Sequence, residues 1–208
     1  MNIWLTVALM GAFHGINPGM GWLFAVALGL QDKNSRSLFR AILPLALGHA
    51  LALLICLAVL SIGQMMISDK LIRWLAGGIL ILFGVYRFFR QKHPRWVGMR
   101  VGFRDLSVWS FTMALAHGAG LMLIPVFLVG QDHSTMHSAH GDTPMFFGWV
   151  EYLMGIGLHT AVFLCVTAGI AWLVYRKLGL LFLRKAWFNL DIIWAIALFL
   201  SGVIAFIQ

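Results

Sequence analysis

The chain has 208 residues, 61% hydrophobic and 11% charged, with 15 Lys+Arg against 7 Asp+Glu, a formal charge of +8 and a mean hydropathy of +0.90. A soluble domain carries about 25% charged residues, so water cannot solvate the surface that this chain offers. That excludes an ordinary soluble fold and intrinsic disorder, and a disulfide scaffold is excluded because the only cysteines are Cys56 and Cys165. The apolar runs are of helix length, so the composition points to an all-α polytopic membrane protein. Basic residues flank those runs, which reads as orientation in a lipid bilayer rather than as nucleic-acid binding.

Crossing a bilayer takes about 20 apolar residues, and six segments reach that length. The first covers residues 3–30 and is interrupted at Asn17-Pro18-Gly19. No basic stretch or cleavage site marks its start as a removable signal. The second covers 38–65 and the third 71–89, followed by a basic connection over 90–104. The fourth covers 108–129, a polar loop runs from 131 to 143, and the fifth and sixth cover 146–174 and 190–207. With the connection after the third segment inside, every Lys and Arg lies inside except Lys70 and Arg73. The positive-inside rule then places both termini and the 131–147 loop on the outer side.

Two stretches repeat. Met10-Gly-Ala-Phe-His14-Gly15 in segment one is echoed by Met113-Ala-Leu-Ala-His117-Gly118 in segment four, and Gly48-His49-Ala50 in segment two by Leu158-His159-Thr160 in segment five. The chain therefore reads as a single membrane domain, 1–208, of two halves, 1–92 and 105–208. Three spans per half is an odd number, so the second half is inverted relative to the first. Inverted repeats around interrupted helices are the architecture of secondary transporters, with the site near the midplane.

Ionisable groups at bilayer depth are costly and face a cavity or a partner. His14, His49, His117 and His159 all fall within spans, and Glu151 lies near the outer end of the fifth. A single buried imidazole is most often a helix-to-helix hydrogen bonder. Four in repeat-related places suggest a shared site, because imidazole suits Zn, Cu, Ni and Co and loses metal on protonation. Asn17 neighbours His14 on the helix surface, and Pro18 with Gly15 and Gly19 marks an unwound, site-lining turn. The outer loop adds His133, His137 and His140 between Asp132 and Asp142. Short His-rich tracts bind metals, although a plain polar loop would have the same composition. Cys56 and Cys165 read as packing residues first and soft ligands second.

The run His14-Gly-Ile-Asn-Pro18-Gly19-Met20-Gly21, the polar turn 31–40 and Ala46-Leu-Gly48-His49-Ala50-Leu51 resemble the nickel/cobalt exporter family of the LysE-type transporter superfamily. The resemblance covers mainly residues 5–90. It implies six spans in two three-helix repeats, a divalent cation as cargo, and His14, Pro18, Gly19 and His49 along the ion path. Family members place His or Asp shortly after Pro-Gly, where this chain has Met20 and Gly21.

The expectation is a non-enzymatic, proton-coupled secondary transporter of a Ni- or Co-like cation in a bacterial inner membrane, open to homo-oligomerisation. Its site residues are His14, His49, His117, His159, Asn17 and Glu151, with His133, His137 and His140 at the outer mouth. Two other classes use the same histidines: a haem-binding electron carrier and a membrane-embedded metalloenzyme or accessory subunit.

Overall fold

The computed structural model describes residues 2–89, 101–134, 144–177 and 190–207, and all regular structure among them is helical. The helices are α1 (Ile3–Ile16), α2 (Trp22–Gln31), α3 (Ser35–Met66), α4 (Asp69–Phe89), α5 (Phe103–Ala116), α6 (Ala119–Ser134), α7 (Pro144–Lys177) and α8 (Leu190–Ile207). Local chemistry sets several starts. The Asn2 and Asn34 side chains accept the Trp4 and Arg36 amides at 3.0 and 2.9 Å, capping α1 and α3. At α5 the Asp105 carboxylate accepts the Gly102 amide at 2.9 Å.

The second, third, fifth and sixth segments are each one helix, close to the expected bounds. The first is broken where expected: α1 stops before Pro18, a short 3-10 turn spans Pro18–Met20, and α2 resumes at Trp22. The fourth, expected to soften at Gly118 and Gly120 without a proline, goes further than that. It is not one continuous span but two helices, α5 and α6, divided at His117-Gly118. Gly118 takes φ +67°, a left-handed conformation that a residue with a Cβ resists, and this ends α5 without a proline. The 131–143 loop is also shorter than expected, because α6 continues through Ser134; residues 135–143 lie outside the described residues.

Each run of helices thus has the same order: a broken helix, a long helix, then a third. α3 packs against α5 and α6, α7 packs against α1 and α2, α3 also meets α7, and α4 lies along α8. Glycine sets how close the main pairs come. A Cβ on Gly48 would strike the Ser107 carbonyl of α5, and one on Gly11 would strike the His159 carbonyl of α7. A Cβ on Gly84 would lie 2.9 Å from the Phe199 amide of α8. Such small-residue contacts let helix backbones approach where apolar side chains gain nothing by leaving lipid.

The polarity is inside out. His14, His49, Ser110, His117, His159 and Thr167 are fully buried. Leu43, Leu47, Leu51, Val59 and Ile62 of α3 are exposed, and so are Leu153, Met154, Trp172 and Leu173 of α7. Water-soluble proteins bury their large apolar groups and rarely expose a patch of this size. Two helices, Ser35–Met66 and the Trp149–Lys177 part of α7, are long and apolar enough to cross a membrane, which suggests a membrane protein. α1 and α2 are apolar but too short to cross alone.

Candidate metal centre

The site forms where α1 breaks. Proline at 18 pushes Asn17 into an extended conformation (φ −67°, ψ 120°), so the helix cannot continue. Breaking a helix inside the bundle frees backbone groups that water cannot reach, and side chains take them up. Asn17 Oδ1 accepts the Gly19 amide at 2.9 Å. Trp22 Nε1 donates to the Ile16 carbonyl at 3.0 Å, and Trp109 Nε1 donates from α5 to the Gly19 carbonyl at 3.1 Å. The break is therefore a built turn, anchored on both sides by indoles. Ser110 adds a buried link, its hydroxyl donating to the Leu45 carbonyl at 2.7 Å.

His14 occupies the last turn of α1, and its Nδ1–H donates to the Met10 carbonyl at 2.7 Å. His117 ends α5 in the same way, with its Nδ1–H donating to the Met113 carbonyl at 2.9 Å. His159 donates from Nδ1 across to the Val7 carbonyl of α1 at 3.3 Å. A carbonyl only accepts, so each of these rings carries its proton on Nδ1 and its lone pair on Nε2. Fixing one nitrogen on a carbonyl is how proteins orient imidazole as an Nε2 ligand.

Three of the rings converge from three helices. His14 lies 5.0 Å from His159 and 5.7 Å from His49, centroid to centroid. His49 and His159 are 5.4 Å apart with nearly parallel rings, and Phe163 stacks on His49 at 4.2 Å. Neither ring nitrogen of His49 has a hydrogen-bond partner, nor does Nε2 of His159. The hydroxyls of Thr160 and Thr167 are buried and equally unpartnered. Thr167 is two turns beyond His159, about 12 Å toward the basic end of α7.

The other expected site residues are placed differently. His117 faces the Pro18–Met20 turn: a Cβ on Gly19 would lie 3.8 Å from its Cε1 and 3.2 Å from Asn17 Oδ1. Asn17 is buried beside the histidines, but its side-chain oxygen is occupied by the Gly19 amide, which makes it part of the turn. Glu151 is half-buried and about 12 Å along α7 from His159, so it stands outside the three-ring cluster. His133 falls on α6, and His137 and His140 lie outside the described residues. Cys56 packs on Gly120, as a packing residue would, whereas Cys165 is exposed. Among the described residues, no three His, Cys, Asp or Glu side chains are already arranged to hold a metal ion.

Several contributors carry weaker sequence signals. Phe163 follows His159 by one turn and shares its face, a spacing from which its contact with the cluster is readable. Trp22 and Trp109 give no such signal, because an indole in an apolar helix reads as a packing or interfacial residue. On α7, the Tyr152 hydroxyl donates to Gln64 Oε1 at 3.1 Å, and its ring meets Phe127 at 5.0 Å.

Comparison with protein-family models, with curated proteins and with solved structures finds no match to this chain. The reading of its function therefore rests on the geometry and the sequence.

Proposed function

We propose that this chain is a secondary transporter that carries a divalent transition-metal cation, of the nickel or cobalt kind, across the inner membrane by way of intramembrane histidines and with proton coupling. The observation that carries this reading is the gathering of His14, His49 and His159, fully buried, from three separate helices, one of them broken just past His14. A cation bound tetrahedrally at ~2.1 Å by imidazoles holds their ring centres about 5 Å apart. The three rings already stand at 5.0–5.7 Å, so ligation asks for ring rotation rather than helix movement. Unpartnered nitrogens in an apolar interior are destabilising, which is the mark of groups kept for a ligand.

The six-span, inverted-repeat architecture belongs to the same proposal. Supporting it are the repeated helix order, the matched packing of α3 on α5–α6 and α7 on α1–α2, and the matched His–Met bonds at His14 and His117. The basic residues orient it with both termini outside. The resemblance of residues 5–90 to the nickel/cobalt exporters supports the choice of cargo. A haem would need a porphyrin-wide slot between opposed imidazoles. Rings this crowded, with Phe163 on one face of His49, favour an ion.

Reconstitution in liposomes tests the proposal. Ni, Co, Zn, Mn and Cu entry is followed with an enclosed fluorescent indicator, with and without a pH gradient. Flux of at least one ion above empty vesicles, stimulated by the gradient and lost in His49→Leu, is expected. No flux of any ion under any gradient overturns the reading.

A further inference from the structure

The basic end of the bundle holds a groove that the histidine cluster does not use. It lies between the start of α3 and the start of α5 and has a volume of about 820 Å³. Clefts of this order accept small-molecule or headgroup-sized ligands. One part of its lining is polar: Arg36, Ser37 and Arg40, with Asp32 beside them. Another part is apolar: Phe39, Leu43 and Phe103, each about half exposed.

Arg36 and Arg40 are one turn apart, so both guanidinium groups serve the same face of α3. Two guanidinium groups face one carboxylate, which leaves an excess of positive charge. Guanidinium binds phosphate oxygens in a bidentate fashion. Along α3 the order is arginine first and Leu43 a turn deeper, the order of headgroup and hydrocarbon in a leaflet. A free phosphate ion would use only the arginines. A zwitterionic lipid brings its own cation to compete with them. An anionic phospholipid uses both linings, and basic pockets between helices on the cytoplasmic side bind such headgroups.

We propose that this groove binds the glycerophosphate headgroup of an anionic phospholipid of the inner leaflet. Arg36 and Arg40 hold the phosphate, and Phe39, Leu43 and Phe103 contact the first part of the acyl chains. The inference rests on the membrane reading above but not on metal transport.

The test uses the full chain, delipidated in a neutral detergent, and native mass spectrometry with added dioleoyl-phosphatidylglycerol or dioleoyl-phosphatidylcholine. The glycerol lipid is expected to stay bound at collision energies that strip the choline lipid. R36Q/R40Q is expected to lower its occupancy roughly tenfold or more. R36K/R40K, which keeps the charge but loses the bidentate fork, is expected to fall between wild type and R36Q/R40Q, and K70Q at the opposite end leaves occupancy unchanged. If R36Q/R40Q does not fold, the lysine pair and the wild-type preference decide the question. Equal retention of the two lipids, or undiminished binding in R36Q/R40Q, overturns the proposal. So does equal thermal protection by millimolar inorganic phosphate, which would mark a free-anion site. Metal flux in phosphatidylcholine vesicles is measured alongside. Lipid selectivity without flux defeats only the transport reading, and flux without selectivity defeats only this one.

Discussion

The crossing of α1 and α7 carries the cluster, so Gly11→Ala is the sharpest probe of how packing holds the site. A Cβ at Gly11 would meet only backbone of α7: the His159 carbonyl oxygen, and the His159 carbonyl carbon and Cα at 3.2 Å each. Backbone cannot rotate away, so the two helices must part by several tenths of an ångström. The His159–Val7 hydrogen bond, already 3.3 Å, then passes beyond bonding range. Overpacking costs about 1–3 kcal/mol and the lost bond about 1 kcal/mol. Alanine returns up to ~1 kcal/mol in helix propensity, so the net loss is about 1–3 kcal/mol. For a chain of this size that lowers the apparent melting midpoint in detergent by roughly 2–12 °C. Gly157→Ala is the control on α7: nothing lies within 4 Å of the new methyl, so propensity alone acts and stability holds or rises. Tryptophan fluorescence during heating reads both variants. Equal midpoints for Gly11→Ala and Gly157→Ala would refute the reasoning.

The unpartnered His49 ring predicts a split between stability and activity: His49→Leu raises the melting midpoint by removing ~1–3 kcal/mol of unsatisfied polar burial, while ion flux falls to the level of empty vesicles. A lower midpoint with flux preserved would make His49 a structural residue. Asn17→Ala removes the Gly19 amide's acceptor and costs about 1 kcal/mol in a thermal melt, with Asn17→Asp recovering most of it; a neutral result would show that Asn17 does not hold the turn. Trp109→Phe keeps the ring but deletes the donor to the Gly19 carbonyl, with an expected loss of about 1 kcal/mol by the same melt; an unchanged midpoint would show that the indole does not anchor the turn. Gly118→Ala forces a Cβ into left-handed backbone at φ +67° and costs about 1–2 kcal/mol, a loss that an unchanged midpoint would disprove.

Much of the element order was legible because long apolar runs and their flanking charges are read one segment at a time. α3, α4, α7 and α8 needed nothing more, and Pro18 announced the first break through its missing donor. The second break was announced only softly, by Gly118 and Gly120 at the matching place in the fourth segment, without a proline. Gly118 occurs among many helical glycines, and spacing alone does not single out the one that takes positive φ. The histidines were legible as unusual residues for apolar helices. Which of them meet was not, because that depends on how α1, α3 and α7 cross, and the crossings are set by close approaches such as Gly11 on His159. Asn17 shows the limit of spacing arguments. Helical spacing sets it beside His14, but the helix ends at Asn17 in extended backbone, and the turn that follows claims its side-chain oxygen.

The most direct test of the shared-imidazole account is X-ray absorption on the purified chain loaded with one equivalent of Co(II), with His133, His137 and His140 replaced by Ala so that the loop contributes no rings. Multiple scattering from two or three imidazoles is expected, falling by one ring in His49→Leu and again when His159→Leu is added. A spectrum of oxygen ligands alone, or one unchanged by either substitution, would contradict it.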